Sequence, residues 1–280
     1  MPTIAHISDL HLQSGSPARQ AQVEPILKKI NAMKPDLVVI SGDVTDDGWD
    51  SDEELSWARR WLDERIGSDW FAIPGNHDVG NFVSLPEGQI TTERVDRWAR
   101  WFDQTPARRF DNPSQPSTPP SAGWYIIGLN SMLLGSGLKR ERQLLNERYG
   151  EVSWTNRESF HTAVFIHSPI FIKNPSEKTA KEAEYWLGPT RERKSFPLVG
   201  INLLGSGHVH QTRLTEVDGV TIAWAPPASG TWVHAPGLPN PPMPEQTGFF
   251  MHTLHDDGRV DSELIECAPM LKLYEHNPWP

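Results

Sequence analysis

Apolar, strand-like runs alternate with helical patterns through the first third of this 280-residue chain, and that order restricts the fold more than any other feature. The runs Ile4 to Ser8, Leu37 to Ser41 and Trp70 to Ile73 are separated by two amphipathic segments. In the first, Pro17 to Met33, the residues Val23, Ile26, Leu27, Ile30 and Met33 repeat on one helical face before Pro35 ends it. In the second, Glu53 to Ile66, the same face carries Leu55, Ala58, Trp61, Leu62 and Ile66. Strand, helix, strand, helix predicts right-handed crossovers and parallel strands covered by helices. Further runs follow at Trp124 to Leu129, Ala163 to His167, Leu203 to Ser206, Val220 to Trp224, Phe249 to Leu254 and Val260 to Ile265. These lie closer together, and the turn Val217-Asp218-Gly219-Val220 joins two of them, so this half is expected to be antiparallel. The expected fold class is α/β: two mixed sheets packed together with helices outside, a four-layer αββα arrangement in one domain spanning 1–280.

Five short motifs punctuate the strand-like runs. They are Asp9-x-His11, Gly42-Asp43-x-x-Asp46, Gly75-Asn76-His77-Asp78, a lone His167 and Gly207-His208-x-His210. Each stands where a strand ends and a loop begins, and loops at the carboxyl ends of parallel strands are where such sheets bind ligands. Nitrogen and oxygen donors from five such loops suffice to hold two metal ions side by side. Two like charges at close range need a shared carboxylate between them, whose two oxygens each face one ion. Asp43 is assigned that bridge. Asp9 and His11, two apart in an extended segment, point to one side and can bind one ion together.

Together the motifs resemble those of the calcineurin-like metallophosphoesterase family, in order and over residues 9 to 210. That resemblance implies a first ion held by Asp9, His11, Asp43 and His210, and a second by Asp43, Asn76, His167 and His208. It leaves His77 facing the substrate, with Asp46 orienting the His77 ring. The implied chemistry is metal-dependent phosphoester hydrolysis: a water activated between the two ions attacks phosphorus in line, His77 assists as acid or hydrogen-bond donor, and no covalent phospho-enzyme forms. Donors of this kind suit Fe, Mn, Zn, Co or Ni.

Departures from the family pattern bear on the substrate. Protein phosphatases of the family place an arginine after the second motif's last carboxylate to grip a phosphate dianion, and here Asp47 stands there. A diester carries one charge fewer than a monoester and depends less on such a clamp. The chain is most similar to class III cyclic nucleotide phosphodiesterases and related bacterial glycerophosphodiesterases, although Ile166 and Ser168 flank His167 where that branch usually has a second histidine and a proline-rich turn. The expected substrate is a small phosphodiester. A monoesterase is the leading alternative, ahead of a DNA-repair-type nuclease and a non-catalytic scaffold. Relatives of this class are often dimers or larger, so a homo-oligomer is also expected.

Composition narrows the setting. The formal charge of −10 disfavours a long nucleic-acid partner, because such binding is mostly phosphate neutralisation by Lys and Arg. The run Lys139-Arg140-x-Arg142 is read as a solvated helix start. No apolar stretch approaches a membrane span, nothing before Ile4 resembles a secretory signal, and Cys267 is the single cysteine, so a reducing cytoplasm is expected. His6, His161, His252, His255 and His276 lack partner spacing and are read as ordinary structural residues. Two segments rich in Pro and Ser interrupt the pattern, 104–123 and 225–248. The first reads as a surface connection. The second, which carries Trp232 and His234, reads either as a substrate-facing lid or as a plain long loop.

Overall fold

A computed structural model describes residues 1–80, 89–103, 106–111, 123–133, 138, 160–169, 200–229 and 246–269. In chain order the elements are β1 (Thr3–Ile7), α1 (Pro17–Met33), β2 (Leu37–Ser41), α2 (Asp52–Asp63), β3 (Asp69–Ile73), α3 (Asn76–Val79), α4 (Thr92–Trp101) and β4 (Ala107–Phe110). There follow β5 (Trp124–Leu129), β6 (His161–Ile166), β7 (Leu203–Ser206), β8 (Arg213–Val217), β9 (Val220–Trp224), β10 (Gln246–Leu254) and β11 (Val260–Pro269). Among the described residues no helix is long and apolar enough to cross a membrane.

The strands form two mixed sheets flanked by helices. The first has the order β11-β10-β1-β2-β3 and the second β4-β5-β6-β7-β9-β8. β1, β2 and β3 are parallel, as the helical crossovers require. Residues 37–41 of β2 are all buried, which explains the unbroken apolar run in place of alternation. Local chemistry fixes the helix ends. Ser51 accepts from the Glu54 amide at the start of α2, ahead of three acidic residues in the first turn, and Thr91 likewise caps α4. Lys34 closes α1 in a left-handed conformation, its amide donating to the Ile30 carbonyl.

The later half departs from the expected antiparallel pattern. β5, β6, β7 and β9 run parallel to one another; the flanking β4 and β8 are antiparallel to their neighbours, and β10 is antiparallel to both β11 and β1. The reason lies in connection length: long segments separate β5 from β6 and β6 from β7, and β8 supplies the return between β7 and β9. The hairpin at Asp218-Gly219 has both central residues at positive φ, 50° and 79°, which matches the right-handed twist of the β8–β9 pair. β4 lies inside the segment 104–123 read from sequence as a loop. Its Ala-Arg-Arg-Phe sequence alternates too weakly to show as a strand, and it is held by pairing with β5. Residues 230–245 of the lid or loop segment, with Trp232 and His234, lie outside the described residues, as do Lys139, Arg140, Arg142 and His276.

The two sheets approach closely where small residues allow it. A Cβ on Gly205 of β7 would stand 2.9 Å from the His6 ring on β1. His6 belongs to a polar chain in this otherwise apolar interior. His252 Nδ1 meets Ser262 Oγ at 2.7 Å, His252 Nε2 lies 3.5 Å from His6 Nδ1, and His6 Nε2 meets Ser41 Oγ at 2.8 Å. Both histidines are fully buried, and Phe165 and Phe250 pack on the pair. Burial pushes His252 down to about 3, and burial with the neighbouring His252 holds His6 well below its ordinary value.

A histidine kept neutral in the fold is protonated below about pH 6.5 once the chain unfolds, so its contribution to stability is full above that pH and lost on acidification. With chelator present, urea unfolding should show stability falling between about pH 6.5 and about pH 3, by up to about 1.4 kcal/mol per pH unit from His252, with His6 acting in the same direction. His252→Gln keeps a hydrogen-bonding side chain without the titration and should flatten that slope. Parallel pH profiles for variant and parent would contradict this account.

Candidate metal centre

All five motifs lie at carboxyl ends of parallel strands, three on the first sheet and two on the second. The loops after β1 and β2 run side by side, with the Asp9 amide donating to the Gly42 carbonyl, His11 to Asp43 and Leu12 to Val44, at 2.9–3.0 Å. The second sheet joins through the His208 amide, which donates to both Asp9 carboxylate oxygens at 3.1 and 3.0 Å.

Backbone geometry singles out the site. Asp9, His11, Asp43, His208 and His210 have φ of 54°, 44°, 49°, 72° and 52°. Among the described non-glycine residues only Lys34 and Asp218 share that sign, and both terminate regular elements. Left-handed conformations are costly for residues with a Cβ, and their concentration at a cluster of acids and imidazoles marks strain retained where side chains must converge. Gly42 allows the closest approach. It sits at φ 100°, and a Cβ there would stand 2.2 Å from the His167 Nδ1 atom.

Among the described residues the side chains form three overlapping groups of possible donors, each with its atoms within 4.8 Å of one another: Asp9, His11, Asp43 and His210 make the first, Asp43, His167 and His208 a second that shares Asp43 with it, and His11, Asp46 and His77 a third. In the first group His11 Nε2 faces His210 Nε2 at 3.2 Å, and His210 Nε2 lies 3.3 Å from Asp9 Oδ1. In the second, His167 Nε2 lies 3.2 Å from His208 Nδ1, 3.2 Å from Asn76 Oδ1 and 3.3 Å from Asp43 Oδ2. His11 Nε2 is 3.8 Å from that same Asp43 oxygen. Ligands on one ion at bond lengths of about 2.1 Å stand roughly 3.0–3.4 Å apart, so this spacing fits a metal. Tautomers fit as well. His167 Nδ1–H donates to the Ser41 carbonyl at 2.8 Å, which leaves Nε2 as the free donor facing the cluster.

Electrostatics point the same way. Burial works against the Asp9 carboxylate, yet His210 and His167 beside it hold it down at about 2. Burial also opposes charge on Asp43, and His167, His77 and His11 outweigh it, keeping Asp43 well below the usual carboxylate range. His167 shows the reciprocal effect: burial would lower it, but Asp43 and Asp9 push it up to about 9. Desolvation and the neighbouring His167 drive the half-buried His208 down to about 4. Two buried acids thus draw positive charge into the cleft, and divalent ions would supply it.

His77, in the third group with His11 and Asp46, lies nearer the surface than three of the proposed ligands: its side chain is 24% exposed, whereas those of His11, Asp43 and His167 are at most 3% exposed. It is the second residue of α3, and its amide donates to Asp43 Oδ1 at 2.9 Å. Asp46 meets the His77 ring through its main chain: His77 Nδ1–H donates to the Asp46 carbonyl at 2.7 Å, while the carboxylate stands 4.0 Å from that nitrogen. The carboxylate turns to Arg19 Nη1 at 2.5 Å and lies 3.5 Å from His11 Nδ1.

Sequence reasoning gave no role to Asp78, Ser41 or Arg19. The buried Asp78 carboxylate accepts from the amides of Val44, Thr45 and Gly75 and from the Thr45 hydroxyl, tying the second loop to the third. Burial and the charge of Asp43 raise it to about 6. Its place in the third motif was the available signal. Ser41 acts through its carbonyl, and Arg19 lies on a helix outside every motif, so neither left one.

Comparison with known proteins agrees with this geometry. A family model described as calcineurin-like phosphoesterase matches residues 2–212. A probable cyclic nucleotide phosphodiesterase from Synechococcus sp. is 27% identical over 250 residues, covering 85% of this chain and 84% of that protein. The fold is similar to that of GAP50, titled the anchor in the inner membrane complex of Plasmodium, with a TM-score of 0.63, 14% identity and coverage of 98% of this chain and 87% of that one. It is also similar to a dimetal phosphatase from Danio rerio, with a TM-score of 0.54, 12% identity and coverage of 96% and 100%. With the motifs, their convergence and the match over most of its length in agreement, the chain belongs to the calcineurin-like phosphoesterase family.

Proposed function

We propose that this metal-dependent phosphoester hydrolase uses two ions to cleave a small phosphodiester, such as a cyclic nucleotide or a glycerophosphodiester. The observation that carries the reading is the pair of donor groups joined at Asp43, with the partly exposed His77 beside them. When bound, two divalent ions would activate water near neutral pH and offset charge on the phosphoryl oxygens. Asp9, His11, Asp43 and His210 would hold one, and Asp43, Asn76, His167 and His208 the other.

The chain's own residues supply the rest. The Asp46 carbonyl accepts a hydrogen bond from His77 Nδ1–H, so Nε2 is the nitrogen through which a protonated ring would donate to a leaving oxygen or a phosphoryl oxygen. Asp43 is held from behind by the His77 amide, which keeps one carboxylate oxygen fixed while the other faces both imidazole groups. Asp47, an exposed residue next to Asp46 in the second loop, puts a carboxylate at the sequence position where a dianion clamp would need a cation, which supports a diester over a monoester. The name of the Synechococcus relative supports the same class. Fold alone would not, since one architecture serves both a titled anchor and a titled phosphatase. A lone, half-buried thiol at Cys267 suits a cytoplasmic setting.

Asp43→Asn should lose bound metal and hydrolysis together, read by elemental analysis and by turnover of bis(p-nitrophenyl) phosphate with Mn²⁺. A fully metallated, active variant would remove Asp43 from the bridge. His77→Ala should keep both ions and lose about 10²–10⁴ in kcat, the size expected for acid catalysis; loss of metal instead would make His77 a ligand. For the parent protein, bis(p-nitrophenyl) phosphate should turn over faster than p-nitrophenyl phosphate, with cyclic nucleotides then compared against glycerophosphodiesters. Preference for the monoester would overturn the diester assignment.

A further inference from the structure

Arg19 is the third residue of α1 and only 2% exposed, a long cation packed beneath the loops of the metal centre. Its position runs against the helix, because the first turn of a helix disfavours positive charge. A buried guanidinium persists only where its donors are matched. Here Nη1 donates to the His11 carbonyl at 3.0 Å and pairs with Asp46 Oδ1 at 2.5 Å. These contacts join the loop after β1 to the loop after β2 at their two functional residues. Asp46 in turn holds the His77 ring through its carbonyl and places its carboxylate 3.5 Å from His11 Nδ1.

We propose that Arg19 is a positioning residue that clamps His11 and Asp46 together from below, fixing a ligand of the first ion and the ring of His77 in one rigid unit. The inference rests on the dinuclear reading above and extends it to a residue outside every motif. The lower contacts reach the first donor group and His77. The second group is anchored elsewhere, by the Ser41 carbonyl on His167 and by Asn76 at the start of α3. Disturbing the clamp should therefore weaken one ion and the His77-dependent step while sparing the other ion. A residue that merely held α1 in place would lower stability without changing the ratio of the two affinities.

The test is a calorimetric titration of the full chain with Mn²⁺, for the parent, Arg19→Gln and Arg19→Lys. His210→Ala and His208→Ala identify which binding step belongs to which ion. Arg19→Gln should weaken the His210-dependent step by about 10- to 100-fold and shift the His208-dependent step by less than about threefold, with a fall in kcat for bis(p-nitrophenyl) phosphate that exceeds any change in KM. Arg19→Lys restores the charge but not the fork of donors and should recover part of both losses. Equal weakening of both steps, or no change in either, would overturn the proposal. If Arg19→Gln does not fold, Arg19→Lys decides: a selective loss at the His210-dependent step supports the clamp, and parent-like binding and kcat refute it. A parent protein that takes up no Mn²⁺ would instead refute the dinuclear reading on which the clamp depends.

Discussion

Everything at the cleft turns on one buried carboxylate. Asp43 contributes to both donor groups, receives the His77 amide on one oxygen and faces the rings of His11 and His167 with the other. Keeping that group ionised away from water demands compensating positive charge and amide dipoles on several sides. The surrounding architecture meets that demand: a helix start at α3, imidazoles from both sheets, and a left-handed loop that turns the carboxylate inward.

The cost of this arrangement is carried by the backbone and offset by pairing. Five candidate ligands stand in left-handed conformations, and none lies in a loose loop. The turns after β1 and β2 are hydrogen-bonded to each other residue by residue, Asp78 fastens the third loop to the second, and Asp9 accepts the His208 amide from the opposite sheet. Strain distributed in this way gives preorganisation, since the donors already stand at ligand spacing from one another.

Much of this could be read from the chain before any coordinates. The bounds of α1 follow from Pro17, one apolar face and Pro35, and the motif residues named themselves as converging donors because acids and histidines rarely punctuate consecutive strand ends by chance. What escaped notice was non-local. Parallel order in the second sheet depends on where long connections return, which periodicity does not encode. β4 exists by pairing with β5 rather than by its own propensity. The contact of Asp46 with His77 runs through a carbonyl, an atom every residue possesses, so residue identity could suggest the partnership without the atom that makes it. Arg19 is a basic residue in a helix until the fold buries it.

The donors are divided between the two sheets. Asp9, His11, Asp43 and Asn76 belong to loops of one, and His167, His208 and His210 to loops of the other. Any cation seated among them would act as a rivet across the sandwich, and its binding energy would be spent in part on keeping the layers in register. Loading of the centre and cohesion of the whole scaffold would then be two readings of a single equilibrium: a change that let the layers slide would loosen a bound cation, and scarcity of the cation would slacken the layers.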